Sequence, residues 1–218
     1  MKTVAAAFMM CLLPFFLLAQ EYSYLDRTGD EQTQISIQKE QLADGTHTLE
    51  LKEPDRYSLH YFRPKGFTRK WVHKNRSLNH DFVAERQGNT IRISGTFKGE
   101  PVNKAVEIDE AVWINKIDHG LSEWSKSGED EMVFWVLKLS SDLEPIRFRA
   151  ERVGLEELSL ASGPHKAVKI RLKLDGFLYS HLWSAYCWYR ESDGLFLKFE
   201  GKNGGPGTPL TVISLQPS

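Results

Sequence analysis

The sequence predicts a mainly β fold, a curved antiparallel sheet or half-open barrel with one short helical segment near residues 111–126. Three observations carry this. Short stretches alternate apolar and polar residues with period two along most of the chain. Turn residues punctuate them at hairpin spacing. A single segment places apolar residues at helical spacing instead. The chain has 218 residues, 41 % of them apolar and 11 % aromatic, which suits one domain, since roughly 250 residues can share a core.

The strands follow in order. "RYSLHYF" sets Tyr57, Leu59 and Tyr61 against Ser58, His60 and Phe62. "TIRISGTF" sets Ile91 and Ile93 against Arg92 and Ser94. "MVFWVLKL", Met132 to Leu139, is apolar on both faces for most of its length, as in a strand covered on both sides. "PIRFRAERV" opposes Ile146, Phe148 and Ala150 to Arg147, Arg149 and Glu151. "KAVKIRLKL" opposes Val168, Ile170, Leu172 and Leu174 to Lys169, Arg171 and Lys173. "ADGTH", "RQGNT" and "ESDGL" supply the Asn, Asp and Gly that tight hairpins need. The expectation is a meander of roughly ten strands. In "DEAVWINKIDHGLSEWSKSG", Trp113, Ile117, Leu121 and Trp124 fall at helical spacing, with Asp109 as a candidate cap and Gly120 interrupting the run. Such a segment fits a plug or lid on a curved sheet.

The first 19 residues read as a secretory signal peptide. Lys2 precedes a 16-residue apolar run, Val4 to Ala19, that holds Pro14 and ends at polar Gln20. A spanning helix needs roughly 20 residues, so cleavage after Ala19 and a periplasmic or secreted domain over 20–218 are expected, with no membrane anchor left. Cys11 follows Met9 and Met10 and lacks the small residue that precedes a lipid-modified cysteine. Cleavage leaves Cys187 alone, so no disulfide forms within the chain, and its aromatic neighbours mark it as a buried apolar residue.

Most function classes are excluded or unsupported. The formal net charge of -1 argues against nucleic-acid binding. There is no Gly-x-Ser-x-Gly elbow and no His-Glu-x-x-His pair. The histidines are scattered, and the acidic clusters at Glu107, Asp109, Glu110 and at Glu129, Asp130, Glu131 read as solvated turns. The stretch "EGKNGGPGTP", Glu200 to Pro209, has the composition of a phosphate loop. However, two prolines remove donors, Lys202 precedes the glycines, and the strand-like "LTVISL" follows where a helix should. No catalytic residue, metal ligand or cofactor is assigned. Lys169, Arg171 and Lys173 form a basic row that reads as a solvated outer face.

Aromatic residues supply the remaining hint. In "HLWSAYCWYR", Trp183 and Tyr189 share a face with Cys187, and Tyr186 and Trp188 share the other. One face belongs to the core, and the other either lines a cavity or packs beneath the helical segment. Trp113, Trp124, Trp183, Tyr186, Trp188 and Lys202 are therefore the candidate ligand-contacting residues.

The segment from Gly176 to Leu215, with its Trp-Tyr strand end, Ser-Asp-Gly turn and Gly-Gly-Pro-Gly-Thr-Pro loop, resembles a group of exported bacterial proteins known only as a domain of unknown function. "GFTRKW" and "ISGTFKGEPVNKAVEID" fit it more loosely. The resemblance implies a β-rich periplasmic protein and brings no catalytic residue. The expected architecture is also similar to periplasmic lipid and lipoprotein carriers, an analogy of fold alone. The expected function is non-enzymatic binding of a hydrophobic or cell-envelope ligand. The alternatives are an envelope polysaccharide hydrolase and a structural or partner-binding module.

Overall fold

The computed structural model describes residues 19–176, 183–202 and 207–217. In chain order the strands are β1 (Gln20–Thr28), β2 (Glu31–Gln41), β3 (His47–Lys52), β4 (Arg56–Phe62), β5 (Thr68–Asn75), β6 (His80–Gln87), β7 (Thr90–Phe97) and β8 (Glu100–Glu107). The short β9 (Val112–Trp113) leads to helices α1 (Ile117–Gly120) and α2 (Ser122–Ser127). Then come β10 (Glu131–Lys138), β11 (Glu144–Leu160), β12 (Gly163–Leu174), β13 (Ser184–Arg190), β14 (Phe196–Lys202) and β15 (Leu210–Leu215).

All fifteen strands join one open sheet in the order β8-β7-β6-β5-β4-β3-β2-β1-β15-β14-β13-β12-β11-β10-β9. The curved, mainly antiparallel sheet predicted from alternation is therefore present, with more strands than the roughly ten expected. The polar sequences of β2 and β8 hide the excess, since "EQTQISIQKEQ" and "EPVNKAVE" carry too few apolar residues for a clear period. Neighbours pair antiparallel except β9 with β10, which run parallel. The first and last strands meet in the middle of the sheet, with Tyr24 opposite Leu215.

The sheet rolls up without closing, because its edge strands β8 and β9 do not pair with each other. Its ends overlap instead. Trp71, Phe82, Ile91 and Ile93 on the inner face of β5–β7 pack in one cluster with Trp113 of β9 and Leu137 of β10. Phe134, one step out of phase with Leu137 on β10, belongs to a second cluster with Ile170, Leu172, Cys187 and Tyr189. The two faces of β10 thus meet two different cores, which explains why "MVFWVLKL" is apolar throughout. Side-chain bonds across the overlap include the Asn115 backbone amide donating to Thr68 Oγ1 at 3.0 Å, Arg86 donating to the Ala111 carbonyl at 2.8 Å, and Lys98 paired with Asp142 at 2.5 Å.

The helical segment starts later than its periodicity suggests. Residues 112–113 form a strand, so Trp113 is a strand residue and its helical spacing from Ile117 is coincidental. Asp109 caps no helix. It accepts hydrogen bonds from the Ala111 amide and Trp135 Nε1 and pairs with Arg147. Gly120, the last residue of α1, is a glycine because a β-carbon there would stand 2.3 Å from Ile114 Cγ2. The helices lie against the inner face of the sheet. Tyr189 Oη donates to the Ile117 carbonyl at 2.8 Å, and Ser122 Oγ donates to the Gly194 carbonyl at 2.7 Å. No helix among the described residues is long and apolar enough to cross a membrane.

Candidate functional site

Two clefts open on the inner side of the sheet, one on each side of the chain segment 115–122. The first, of about 240 Å³, lies where the sheet ends overlap. One wall comes from Leu51 of β3, Arg56, Ser58 and His60 of β4, and Trp71 and His73 of β5. The other comes from Asn115, Lys116, Val136, Leu137 and Leu139. Alternation puts Ser58 and His60 inside, in phase with buried Phe62, and puts His73 inside, in phase with Trp71.

The hydrogen bonds in this wall fix the state of His60. Trp71 Nε1, which can only donate, bonds Ser58 Oγ at 2.8 Å. Ser58 Oγ lies 2.9 Å from His60 Nε2, so the arrangement that leaves fewest groups unpaired has the hydroxyl donating to an unprotonated Nε2. The ring proton then sits on Nδ1, which is buried and has no partner. His60 and His73 are each 3 % exposed, and both ring nitrogens of His73 are likewise buried and unpaired. Burial holds both imidazoles neutral, His60 well below its ordinary value and His73 down to about 4, with His80 adding to the effect on His73. Arg56 pairs with Glu53 and Lys116 with Asp118, while Asn115 Oδ1 accepts from the Leu137 amide and leaves its NH₂ over. Leu51, Val136, Leu137 and Leu139 supply apolar surface beside these donors.

Ser58 and His60 stand at the distance of a nucleophile and its base. A working triad also needs a group that orients the base, and among the described residues His60 Nδ1 has none. The arrangement is chemically suited to holding a ligand with an acceptor group and an apolar body.

The second cleft, of about 230 Å³, is lined among others by Tyr22, Tyr24, Leu49, Asp118, His119 and Phe196. Leu49 and Leu51, two residues apart on β3, face different clefts. Burial lowers His119 to about 3, with Lys39 and His47 next in effect, and its ring meets Phe62 edge-on at 4.5 Å. Burial raises the Tyr24 phenol, whose hydroxyl donates to the Phe196 carbonyl at 3.1 Å.

The six aromatic and basic residues singled out by sequence line neither cleft. Trp113 is fully buried between the sheet ends, its Nε1 donating to Asn115 Oδ1. Trp124 is buried under Arg152, its Nε1 donating to Glu129. Trp183 meets Phe148 edge-on and donates to the Lys202 carbonyl at 2.6 Å. Tyr186 and Trp188 lie together on the outer face, each ring 5.0 Å from the Lys169 ammonium, and Trp188 also donates to Glu156. The basic row beside them is neutralised, Lys169 by Glu156 and both Arg171 and Lys173 by Glu151. Cys187 is buried, and its thiol is pushed up by that burial. In "EGKNGGPGTP" residues 203–206 lie outside the described residues, but the stretch joins β14 to β15 and no helix follows it.

What sequence reading missed is the inner-face column of histidines. The available signal was phase: His60 shares the parity of Phe62, His73 that of Trp71, and His80 that of Phe82. His80 stacks on Phe97 at 4.4 Å, and Asp81 pairs with Lys74 outside. His181 lies outside the described residues. Among the described residues no three His, Cys, Asp or Glu side chains are placed to hold a metal ion. No protein-family model matches this chain, and no curated protein matches it significantly.

Proposed function

We propose that this chain is an exported, non-enzymatic binding protein of the bacterial envelope, holding a small amphipathic ligand in the cleft between the overlapping sheet ends. One observation carries the reading: two imidazoles, each 3 % exposed and holding unpaired ring nitrogens, line a cleft together with the apolar side chains of Leu51, Val136, Leu137 and Leu139 and the polar ones of Arg56, Asn115 and Lys116. Unpaired buried polar groups are costly, and a ligand that accepts their hydrogen bonds recovers that cost. The export part rests on the leader-like residues 1–19.

Volume limits the ligand. A cleft of about 240 Å³ holds about eight waters at roughly 30 Å³ each, or a similar number of methylenes. Sites for drug-sized ligands span roughly 300–1,000 Å³, so the cleft matches a medium-chain acid or alcohol, and a longer acyl chain would extend beyond it into solvent. The test is titration of the mature chain with octanoate and with octanol, followed by the imidazole resonances of His60 and His73. A saturable shift of both rings and a raised melting temperature are expected. The reading fails if neither ring moves with either probe. Mass spectrometry of the product recovered from the envelope fraction tests export, with a chain beginning at Gln20 expected.

A further inference from the structure

We infer that the second cleft is a separate site for a small zwitterion, an α-amino acid by chemical class. Three features of the cleft lead there. Lys39 is the first. The inner face of β2 carries Ile35 and Ile37, and Lys39 continues that column, pointing inward. Inward charges protect the edges of sheets, but β2 is paired on both sides, to β1 and to β3, so that explanation does not apply. Among the described residues the Lys39 ammonium has no hydrogen bond and no ion pair, although it lines the cleft and desolvation lowers its pKa. The imidazoles of His119 and His47 feel its charge, and burial holds both low. The carboxylates of Glu123 and Asp193 act on Lys39 from beyond ion-pair distance, each being paired elsewhere, to Lys126 and Arg190.

The second feature is Asp118. One carboxylate oxygen accepts from Lys116 at 2.7 Å, and the other, Oδ1, is buried without a partner. Among the described residues no ion pair joins Asp118 to Lys39. The third feature is the aromatic part of the lining: Tyr22, Tyr24 and Phe196 offer ring surface for a side chain. A cation without an ion pair, a carboxylate oxygen without a partner and aromatic surface in one cleft complement a molecule with a carboxylate, an ammonium and a modest side chain. The volume of about 230 Å³ suits a molecule of that size.

The experiment is calorimetry and thermal melting of the mature chain against free amino acids, each compared with its N-acetylated and its decarboxylated form. At least one zwitterion is expected to bind, with both single-charge analogues at least tenfold weaker. Lys39→Met removes an unpaired charge and leaves an apolar column, so the variant folds, and it is expected to lose the zwitterion at least tenfold while keeping any response to octanoate. Asp118→Asn gives a second variant, expected to weaken the zwitterion more than the N-acetylated form. The inference is overturned if no amino acid binds, if the single-charge analogues bind equally, or if Lys39→Met binds as the parent chain does.

Discussion

The inner face of β12–β13 and the inner face of β4–β6 are built from the same sheet by the same alternation, and they carry different chemistry. On β12 and β13 the column is Val168, Ile170, Leu172, Ala185, Cys187 and Tyr189, all buried, with the single hydroxyl of Tyr189 bonded to the Ile117 carbonyl. On β4–β6 the column interleaves Ser58, His60, His73 and His80 with Phe62, Trp71 and Phe82. Buried nitrogens without partners occur on all three of those histidines and on none of the β12 or β13 side chains, among the described residues. One half of the roll is filled and satisfied. The other retains polar groups that stability alone would not select.

The strongest test of that contrast is to damage the filled half. Leu172 is fully buried and stands between Ala150 and Ala185 in register, so it fills the space above three strands. Leu172→Ala leaves a cavity that its small neighbours cannot close, and a loss of about 2–5 kcal/mol is expected in urea unfolding. Octanoate binding to the remaining folded protein should be unchanged. A loss under about 1 kcal/mol would mean that this half is not close-packed.

Acid should act on the other half. An unfolded histidine titrates near roughly 6.5. Burial holds His73 at about 4 and His119 at about 3 in the folded chain. Between those limits the unfolded chain binds protons that the folded chain refuses. The stabilising effect of neutral burial is therefore full above roughly pH 6.5 and declines as pH falls towards the folded values, by up to about 1.4 kcal/mol per pH unit for each histidine. Urea midpoints between pH 7.5 and 4.5 check this, and His73→Phe should flatten the decline by one histidine's share.

The smallest effect belongs to the outer face. Glu151 pairs with Arg171 and Lys173 in solvent, so Glu151→Gln should change stability by about 1 kcal/mol or less, and salt should shrink that difference further. Thermal melts at low and high salt measure it.

These contrasts also explain what could be read from the sequence. Alternation located "KAVKIRLKL" and "PIRFRAERV" because each opposes apolar to charged residues; β12 keeps that phase as burial, whereas on β11 Ala150 is buried and the other residues from Ile146 to Arg152 are half-buried on both faces. It failed for β8, an edge strand with a largely polar sequence. Aromatic density drew attention to Trp113 and Trp188, yet density says nothing about side. Trp113 went between the sheet ends, and Trp188 went outside beneath two lysines. The histidine wall was invisible because its members lie on separate strands. Only the register that sets His60 opposite Trp71, and His73 opposite Phe82, brings them into one column.

The strand order has a consequence for how the chain may be cut. Each strand lies beside its neighbours in sequence, and β1 lies beside β15, so the adjacencies run in a circle broken only between β8 and β9. Residues 108–111 occupy that break. Of two fragments separated there, the first would be an uninterrupted run of hairpins and the second would be one from β10 onward, with β9 joined to it in parallel through the helices; among the described residues β1 against β15 would be the one strand pairing between them. Linking the ends at β1 and β15 and opening the chain at the break would place every antiparallel partner next in sequence. Such a permutant would have the lowest mean loop length this sheet allows, and it should fold faster than the natural order.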